Sequence, residues 1–140
     1  MVFNVFIDVN VFLDYFLNRN DFTNATAILK AAKEKRICAF TSISAFQSVS
    51  YFLQKYRGTQ ISKQLLNALL SPITLIESDT KIVVQSLNSP INDIEDAIHY
   101  FTALKHKMDY LITNDMDFLK LNGTALNIKT PADFLQLLQP

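Results

Sequence analysis

The chain has 140 residues, of which 49% are hydrophobic, so it can form one domain, residues 1–140, whose core needs neither disulfides nor a structural metal. Lys and Arg together number 13, as do Asp and Glu. The resulting formal net charge of zero excludes the global basic field of a strong nucleic-acid binder but leaves room for a local basic strip.

Strands and helices alternate in the first half of the chain. The β-rich apolar run 3–7 predicts a strand that ends at Asp8, and an apolar stripe then predicts a helix ending near residue 17. The next predicted elements are a helix at 22–35, a strand at 37–40, a helix at 42–56 and a helix at 60–70. We expect Gly58 to end the third helix, because glycine readily adopts the left-handed conformation common there, and Cys38 to be buried in the second strand.

The second half continues this alternation. A strand at 73–76 precedes a helix at 80–87, and a helix that starts at an Asn92 N-cap runs to about residue 106. The remaining predictions are a strand at 110–113, a helical turn at 117–121, a strand at 126–128 and a last helix starting at Thr130 and Pro131. The residues expected to face inward on the two middle helices are Ile82, Val83, Leu87, Ile94, Ala97, Ile98, Phe101 and Leu104. The alternation predicts an α/β fold with a parallel sheet covered on both faces.

Acidic side chains occur where predicted strands end or a helix begins. They are Asp8, Asp96, Asp115 and Asp117. In an open α/β sheet the carboxyl ends of parallel strands border one crevice, so these carboxylates can converge. Several carboxylates in one crevice repel one another unless a hard divalent cation neutralises them. The pattern therefore predicts a metal-dependent enzyme that acts on phosphates.

Each of these acids also has an ordinary structural explanation. Asp8 can cap the helix that follows it, and Asn10 can cap the same helix or support the Asp8 carboxylate with a hydrogen bond. The acids after the fourth strand can be turn residues. Glu95 is best explained as an acid at a helix start, where the macrodipole favours negative charge, whereas for Asp96 this explanation and a site role are equally good. For His99, one turn beyond Glu95, we favour a satisfied surface or half-buried side chain over a site contact.

Three segments resemble those of PIN-domain ribonucleases of the VapC-like toxin type. Residues 7–14 resemble the family's first acidic strand, residues 93–98 its Asp-Ala helix start, and residues 109–118 its Thr-x-Asp strand end. The order of strands and helices fits the family over nearly the whole chain. The resemblance implies a PIN-like three-layer α/β/α domain with a central, mostly parallel sheet of about five strands.

The resemblance also implies an endoribonuclease that depends on Mg²⁺ or Mn²⁺ and hydrolyses RNA phosphodiester bonds, as the toxin of a type II toxin–antitoxin pair. By motif position, the metal ligands and catalytic residues would be Asp8, Asp96 and Asp115. Auxiliary ligands, or groups that hydrogen-bond to the ligands, would be Asp93 and Asp117. The residues that orient the carboxylates would be Asn10 and Thr113. The ion would activate a water for in-line attack and stabilise charge on the leaving oxygen.

The chain departs from the family on the third helix. The family usually carries a glutamate there, whereas this sequence has no acid between residues 41 and 56, and Gln47 or Ser48 occupies the matching position. A neutral residue removes a charge and weakens metal binding, so the site works with help from Asp93 or Asp117 or is degenerate. The alternative function is therefore a PIN domain that binds RNA or a protein partner without catalysis. A phospho-acceptor domain built on the first-strand aspartate is disfavoured, because the required second acid beside that strand is missing.

The sequence also predicts partners and location, from its basic and aromatic residues and from the absence of membrane-span and signal-peptide patterns. Lys55 and Arg57 are our first choice for RNA contacts, because a phosphate backbone needs local positive charge. Of the eleven Phe and five Tyr side chains, those left exposed would suit a homodimer or an antitoxin segment. With a single cysteine, no apolar run of roughly 18 residues and no signal-peptide features, we expect a cytoplasmic protein without a membrane contact.

Overall fold

A central sheet organises the computed structural model, which describes residues 2–139. Its strands are Phe3–Ile7 (β1), Ile37–Ser42 (β2), Ile73–Ile76 (β3), Tyr110–Ile112 (β4) and Asn127–Lys129 (β5). All neighbouring strands are parallel, and their order across the sheet is β3-β2-β1-β4-β5. The strand order reverses between β1 and β4, which is where an open α/β sheet forms a crevice beyond the carboxyl ends of its strands.

Helices cover both faces of this sheet. They are Val9–Phe16 (α1), Phe22–Lys33 (α2), Ile43–Arg57 (α3), Thr59–Leu69 (α4), Thr80–Leu87 (α5), Ile94–Lys105 (α6), Met116–Leu119 (α7) and Pro131–Leu138 (α8). Side chains of β1 alternate between two cores, since Val5 and Ile7 pack with α1 to α4 and α8, and Phe6 packs with α6 and α7. The three-layer α/β/α prediction is confirmed. Within residues 2–139, none of the helices is long and apolar enough to cross a membrane.

Capping residues determine where several helices begin and end. Thr130 accepts a hydrogen bond from the backbone N–H of Asp133 at 3.1 Å, so α8 starts as predicted. Gly58 ends α3 with a φ of 79°, also as predicted. The N-cap prediction for α6 is wrong by one residue, because Asp93 rather than Asn92 precedes the helix. Asn and Asp cap helices about equally well, so adjacent candidates cannot be ranked from sequence.

Three side chains expected in the core are exposed. Leu87 and Ile94 are 59% and 58% exposed, because they lie at the last residue of α5 and the first residue of α6, where the apolar stripe extends past the packed part of the helix. Cys38 is exposed as well, since the alternation of a strand points it away from the core that Ile37 and Ala39 enter.

Candidate functional site

The carboxylate that follows β1 is buried and held from several directions. Asp8 is 4% exposed, and its backbone N–H donates to the carbonyl of Ile112 on β4 at 3.0 Å. Its Oδ1 accepts from the Val9 N–H at 2.8 Å, so Asp8 caps α1. Its Oδ2 accepts from Asn10 Nδ2 at 3.0 Å and from the Thr113 hydroxyl at 2.8 Å. These contacts fix the carboxylate at the reversal point of the sheet.

The ends of β1 and β4 are also joined through side chains. Asn10 donates to Thr113 Oγ1 at 3.1 Å and accepts from the Asn114 N–H at 3.0 Å. Thr113 is completely buried and accepts from the Asp115 N–H at 3.0 Å. The structure therefore brings Asn10 and Thr113 into direct contact with Asp8.

A cleft of about 400 Å³ beside this point is lined by four acids, which are Asp93, Asp96, Asp115 and Asp117. Asp93 caps α6 by accepting from the Asp96 N–H at 2.9 Å. Asp115 caps α7, and its Oδ1 accepts from the N–H groups of Asp117 and Phe118 at 2.9 and 3.4 Å. Both acids thus cap a helix, and both still border the cleft.

Asp117 differs from the other acids of the cleft. Its side chain is 88% exposed and forms an ion pair with Lys120, whose Nζ lies 3.3 Å from Oδ1. A carboxylate that is so well solvated and already paired has little electrostatic need for another cation. Asp117 lies at the rim of the cleft, further into solvent than Asp115.

Burial and neighbouring charges both affect the pKa values of the carboxylates at this end of the sheet. Burial raises the pKa of Asp96 to about 7, and nearby negative charges contribute to the rise. Those charges belong to Asp8, Asp93 and Asp115. Burial raises the pKa of Asp8 as well, although His99 and the Thr113 hydrogen bond oppose the rise. Ionising all of these groups together is unfavourable unless positive charge enters the cleft.

The donor chemistry of this cleft fits a hard divalent cation. Its acids offer oxygen atoms only, which suits Mg²⁺ or Mn²⁺ better than zinc. In their observed rotamers, no three His, Cys, Asp or Glu side chains of residues 2–139 form a group that could hold one ion. Asp96 accepts no side-chain hydrogen bond from any described residue, and neither does Oδ2 of Asp115. Rotation of Asp96 towards Asp8 would therefore break no side-chain bond, whereas Asp115 would have to keep its Oδ1 on the N–H groups of α7.

A buried histidine lies behind the cleft. His99 is completely buried, so the expectation of a surface or half-buried side chain is wrong, and its ring packs 5.6 Å from the ring of Phe6. Its Nδ1 lies 3.4 Å from Ser42 Oγ, and its Nε2 lies 3.2 Å from Glu95 Oε1. His99 is buried because α6 packs on the sheet. Its contact with Glu95 could have been predicted from their four-residue spacing on the helix.

The two candidates on α3 occupy different environments. Gln47 is exposed on the helix, whereas Ser48 is half-buried and donates its hydroxyl to Glu95 Oε1 at 3.2 Å. The same hydrogen bond, together with the one from His99, lowers the pKa of Glu95, with the His99 bond as the larger cause. The structure thus joins Ser48 to an acid that sequence reasoning had assigned only to the helix start.

The basic residues proposed for RNA lie at the far end of α3. Lys55 and Arg57 are roughly 10 to 14 Å along the helix axis from Ser48. Lys55 Nζ lies 5.8 Å from the ring centroid of Tyr56, and Arg57 donates to the Phe16 carbonyl at 3.4 Å. Both are exposed, and neither contacts the carboxylates of the cleft.

A second cleft of about 760 Å³ opens beside Asp115 and was not predicted from sequence. Arg19 lines it and pairs with the buried Asp14, with 3.2 Å between Nε and Oδ1. Asn114 donates to Asp14 at 3.3 Å and to Asp21 at 2.9 Å. These contacts tie the α1–α2 loop to the end of β4 and place a cation close to the acidic cleft.

Comparison with known families and structures gives one family match. The model of the PIN domain matches residues 4–117. No curated protein matches the chain in sequence.

Solved structures share the fold over nearly the whole chain. A chain of a toxin–antitoxin complex from Klebsiella pneumoniae is 25% identical with a TM-score of 0.68, and the match covers 91% of this chain and 97% of that one. The VapBC complex of Rickettsia felis, bound to a DNA fragment from its promoter, gives 15% identity, a TM-score of 0.68, and coverage of 91% and 98%. The sarcin-ricin loop cleaving VapC toxin of Mycobacterium tuberculosis is 12% identical with a TM-score of 0.68, and the match covers 88% of this chain and 98% of that one. The last two similarities concern the fold alone.

Proposed function

Because the chain belongs to the PIN-domain family, we propose that it is a Mg²⁺- or Mn²⁺-dependent endoribonuclease and the toxin of a type II toxin–antitoxin pair. The toxin setting is supported by the similarity to a chain of a toxin–antitoxin complex at 25% identity. We propose further that residues 1–140 act as one PIN-like domain, since the described residues share a single sheet.

The observation that carries this proposal is the position of four carboxylates, since Asp8 follows β1, Asp115 follows β4, and Asp93 and Asp96 stand at the start of α6. Burial, with the charges of three nearby acids as smaller causes, raises the pKa of Asp96 to about 7. Four carboxylates in such a position create a strong demand for a divalent cation. Asp8, Asp96 and Asp115 would hold the ion, with Asp93 and Asp117 at the border of the site.

The proposed chemistry divides between the ion and the protein. When bound, a divalent ion activates a water for in-line attack on a phosphodiester and stabilises charge on the leaving oxygen. The protein holds Asp8 rigidly through Thr113 and Asn10, which keeps one ligand in a fixed position. Asp96 retains rotational freedom, and Asp115 keeps Oδ2 free while Oδ1 caps α7, so both would have an oxygen to offer the ion.

Calorimetric titration of Mn²⁺ into the metal-free protein, followed by an RNA cleavage assay, tests the proposal. Asp8→Asn should abolish cleavage and weaken Mn²⁺ binding by about tenfold or more, while the protein remains folded. Asp109→Asn is the matched control, because Asp109 lies just before β4, at the amino-terminal ends of the strands and away from the acidic cleft. If Asp8→Asn cuts RNA as fast as the parent, the assignment is wrong.

The second candidate function is a degenerate PIN domain that binds RNA or a protein without cutting. Its support is the absence of an acid from α3 together with the lack, in residues 2–139, of a preformed three-ligand group. The same titration separates the two functions. Absence of binding up to roughly 10 mM Mn²⁺ would favour the degenerate domain.

We also propose partners for the surface of α3. Tyr51 and Tyr56 are 64% and 59% exposed, and Phe52 packs edge-to-face against Tyr51 with ring centroids 5.2 Å apart. Exposed aromatic side chains of this kind are typical of protein interfaces. We assign this surface to a homodimer, and Lys55 and Arg57 beside it to the RNA substrate. An antitoxin is the further protein partner.

A further inference from the structure

We propose that Glu95 supplies from α6 the carboxylate that α3 lacks, and that Ser48 and His99 hold it in position for the divalent cation. The inference rests on the proposed function, because it concerns the same metal site. It changes the expected ligand set from aspartates alone to aspartates with one glutamate.

The first observation is the contact between α3 and α6. Ser48 on α3 is half-buried, and its hydroxyl donates to Glu95 Oε1 at 3.2 Å across 47 positions of sequence. The whole of α3, Ile43–Arg57, contains no Asp or Glu. The acidic group next to Ser48 therefore comes from the neighbouring helix.

The second observation is the way in which Glu95 is held. Two groups approach the same oxygen, because His99 Nε2 also lies 3.2 Å from Oε1. His99 is itself completely buried, with Nδ1 3.4 Å from the Ser42 hydroxyl. Ser42 in turn caps α3 by accepting from the Ala45 N–H at 3.0 Å. A chain of contacts thus links the Glu95 carboxylate to the start of α3.

The remaining oxygen of Glu95 is available. Oε1 accounts for both of its side-chain hydrogen bonds to described residues, and the side chain is 51% exposed. One oxygen of this carboxylate is held next to a buried histidine, and the other is free. This is the arrangement of a metal ligand that a neighbouring group supports.

A simple helix-start role accounts less well for these contacts. Asp93 already caps α6 by accepting from the Asp96 N–H. Glu95 directs its carboxylate to Ser48 and His99 and accepts no backbone N–H from the first turn within residues 2–139. Attraction to the macrodipole would not require this orientation, because it depends only on charge near the helix end.

An exchange of the acid between the two helices tests the inference. Mn²⁺ affinity is measured by calorimetry for the parent, for Glu95→Gln, and for the double variant Ser48→Glu with Glu95→Gln. Glu95→Gln should weaken Mn²⁺ binding by about tenfold or more, whereas the double variant should regain most of the lost affinity. Glu34→Gln is the matched control, because Glu34 precedes β2 at the opposite edge and should bind Mn²⁺ like the parent.

The outcomes distinguish the inference from the proposed function. Mn²⁺ binding by the parent that persists unchanged in Glu95→Gln would overturn the role of Glu95 and leave the nuclease proposal in place. Failure of the double variant to improve on Glu95→Gln, with both variants folded by thermal unfolding, would also overturn it. Absence of Mn²⁺ binding by the parent would overturn the proposed function and the inference together.

Discussion

The Thr113 hydroxyl donates to the buried Asp8 carboxylate at 2.8 Å, although 105 positions of sequence separate the two residues. Thr113 also accepts from Asn10 Nδ2 and from the Asp115 N–H, so one hydroxyl connects three parts of the site. A single buried group with three partners is a sensitive point for stability and, under the proposed function, for metal binding.

Thr113→Val should lower the free energy of unfolding by about 1–3 kcal/mol, because it removes a donor to Asp8 and the acceptor of two N–H groups without changing the side-chain volume much. Urea denaturation measures the change. Thr124→Val, at an exposed position before β5, is the matched control and should leave stability nearly unchanged. Equal stability of the Thr113 variant and the parent would contradict a structural role for this hydroxyl.

The raised pKa of Asp96 predicts an unusual pH dependence of the metal-free protein. The folded state holds the Asp96 proton more tightly than the unfolded chain, whose reference value is 3.8 against about 7. The stabilisation is therefore fully present below about pH 4 and is lost as pH rises through about 7. Burial raises the pKa of Asp8 in the same direction.

Asp96→Asn should flatten this decline, because the amide carries no charge at any pH. The measurement is thermal unfolding in the presence of a chelator between pH 4 and 8, with Asp133→Asn on the exposed surface of α8 as control. Saturating Mn²⁺ should reverse the trend in the parent, since the ion binds the deprotonated acids. A decline of the same slope in Asp96→Asn would refute the assignment of the effect to this residue.

RNA affinity should depend on Arg19 as well as on Lys55 and Arg57. Arg19 lines the cleft next to Asp115, where a substrate phosphate beside the scissile bond would pass. Each Gln replacement should weaken RNA binding and reduce the salt-dependence slope by about one, if the cation contacts a phosphate. Fluorescence anisotropy with the Asp8→Asn background avoids cleavage. Arg36→Gln, before β2 at the opposite edge, should have no effect.

Replacing the exposed tyrosines of α3 should weaken the proposed homodimer. Tyr51→Ser together with Tyr56→Ser should raise the dimer dissociation constant by at least about tenfold, because exposed tyrosines contribute strongly to interfaces. Light scattering over a concentration series reports the state. Leu137→Ser, exposed on α8, is the control. If the parent protein is monomeric, the homodimer assignment is wrong and this surface would be assigned to the antitoxin instead.

Local sequence patterns predicted the sheet because its strands are short apolar runs bounded by polar or turn residues. The bounds of β1, β3 and α5 agree with the predicted ones, and α8 begins at its predicted cap. Asp8 and Asp115 could be predicted to converge because each follows a strand of a parallel sheet. These results depend on periodicity and topology, which a single sequence reveals.

Contacts between helices could not be predicted in the same way. The Ser48–Glu95 hydrogen bond and the burial of His99 depend on how α3 and α6 pack, and no local period encodes that packing. The ion-binding geometry of the acids likewise depends on rotamers, which is why the roles of Asp93 and Asp117 stay predictions. Exposure of Cys38 follows from the coverage of one strand face rather than from its apolar neighbours.

That exposed cysteine has a practical consequence. Cys38 is the only thiol of the chain, and it lies near the start of β2, whereas the carboxylates lie beyond the ends of the strands. Ser42 lies four residue steps further along the strand, a distance of roughly 13 Å. A maleimide fluorophore or nitroxide would therefore attach at one defined position without entering the acidic cleft. The natural sequence thus already contains a spectroscopic attachment point from which the approach of Mn²⁺ or RNA can be followed.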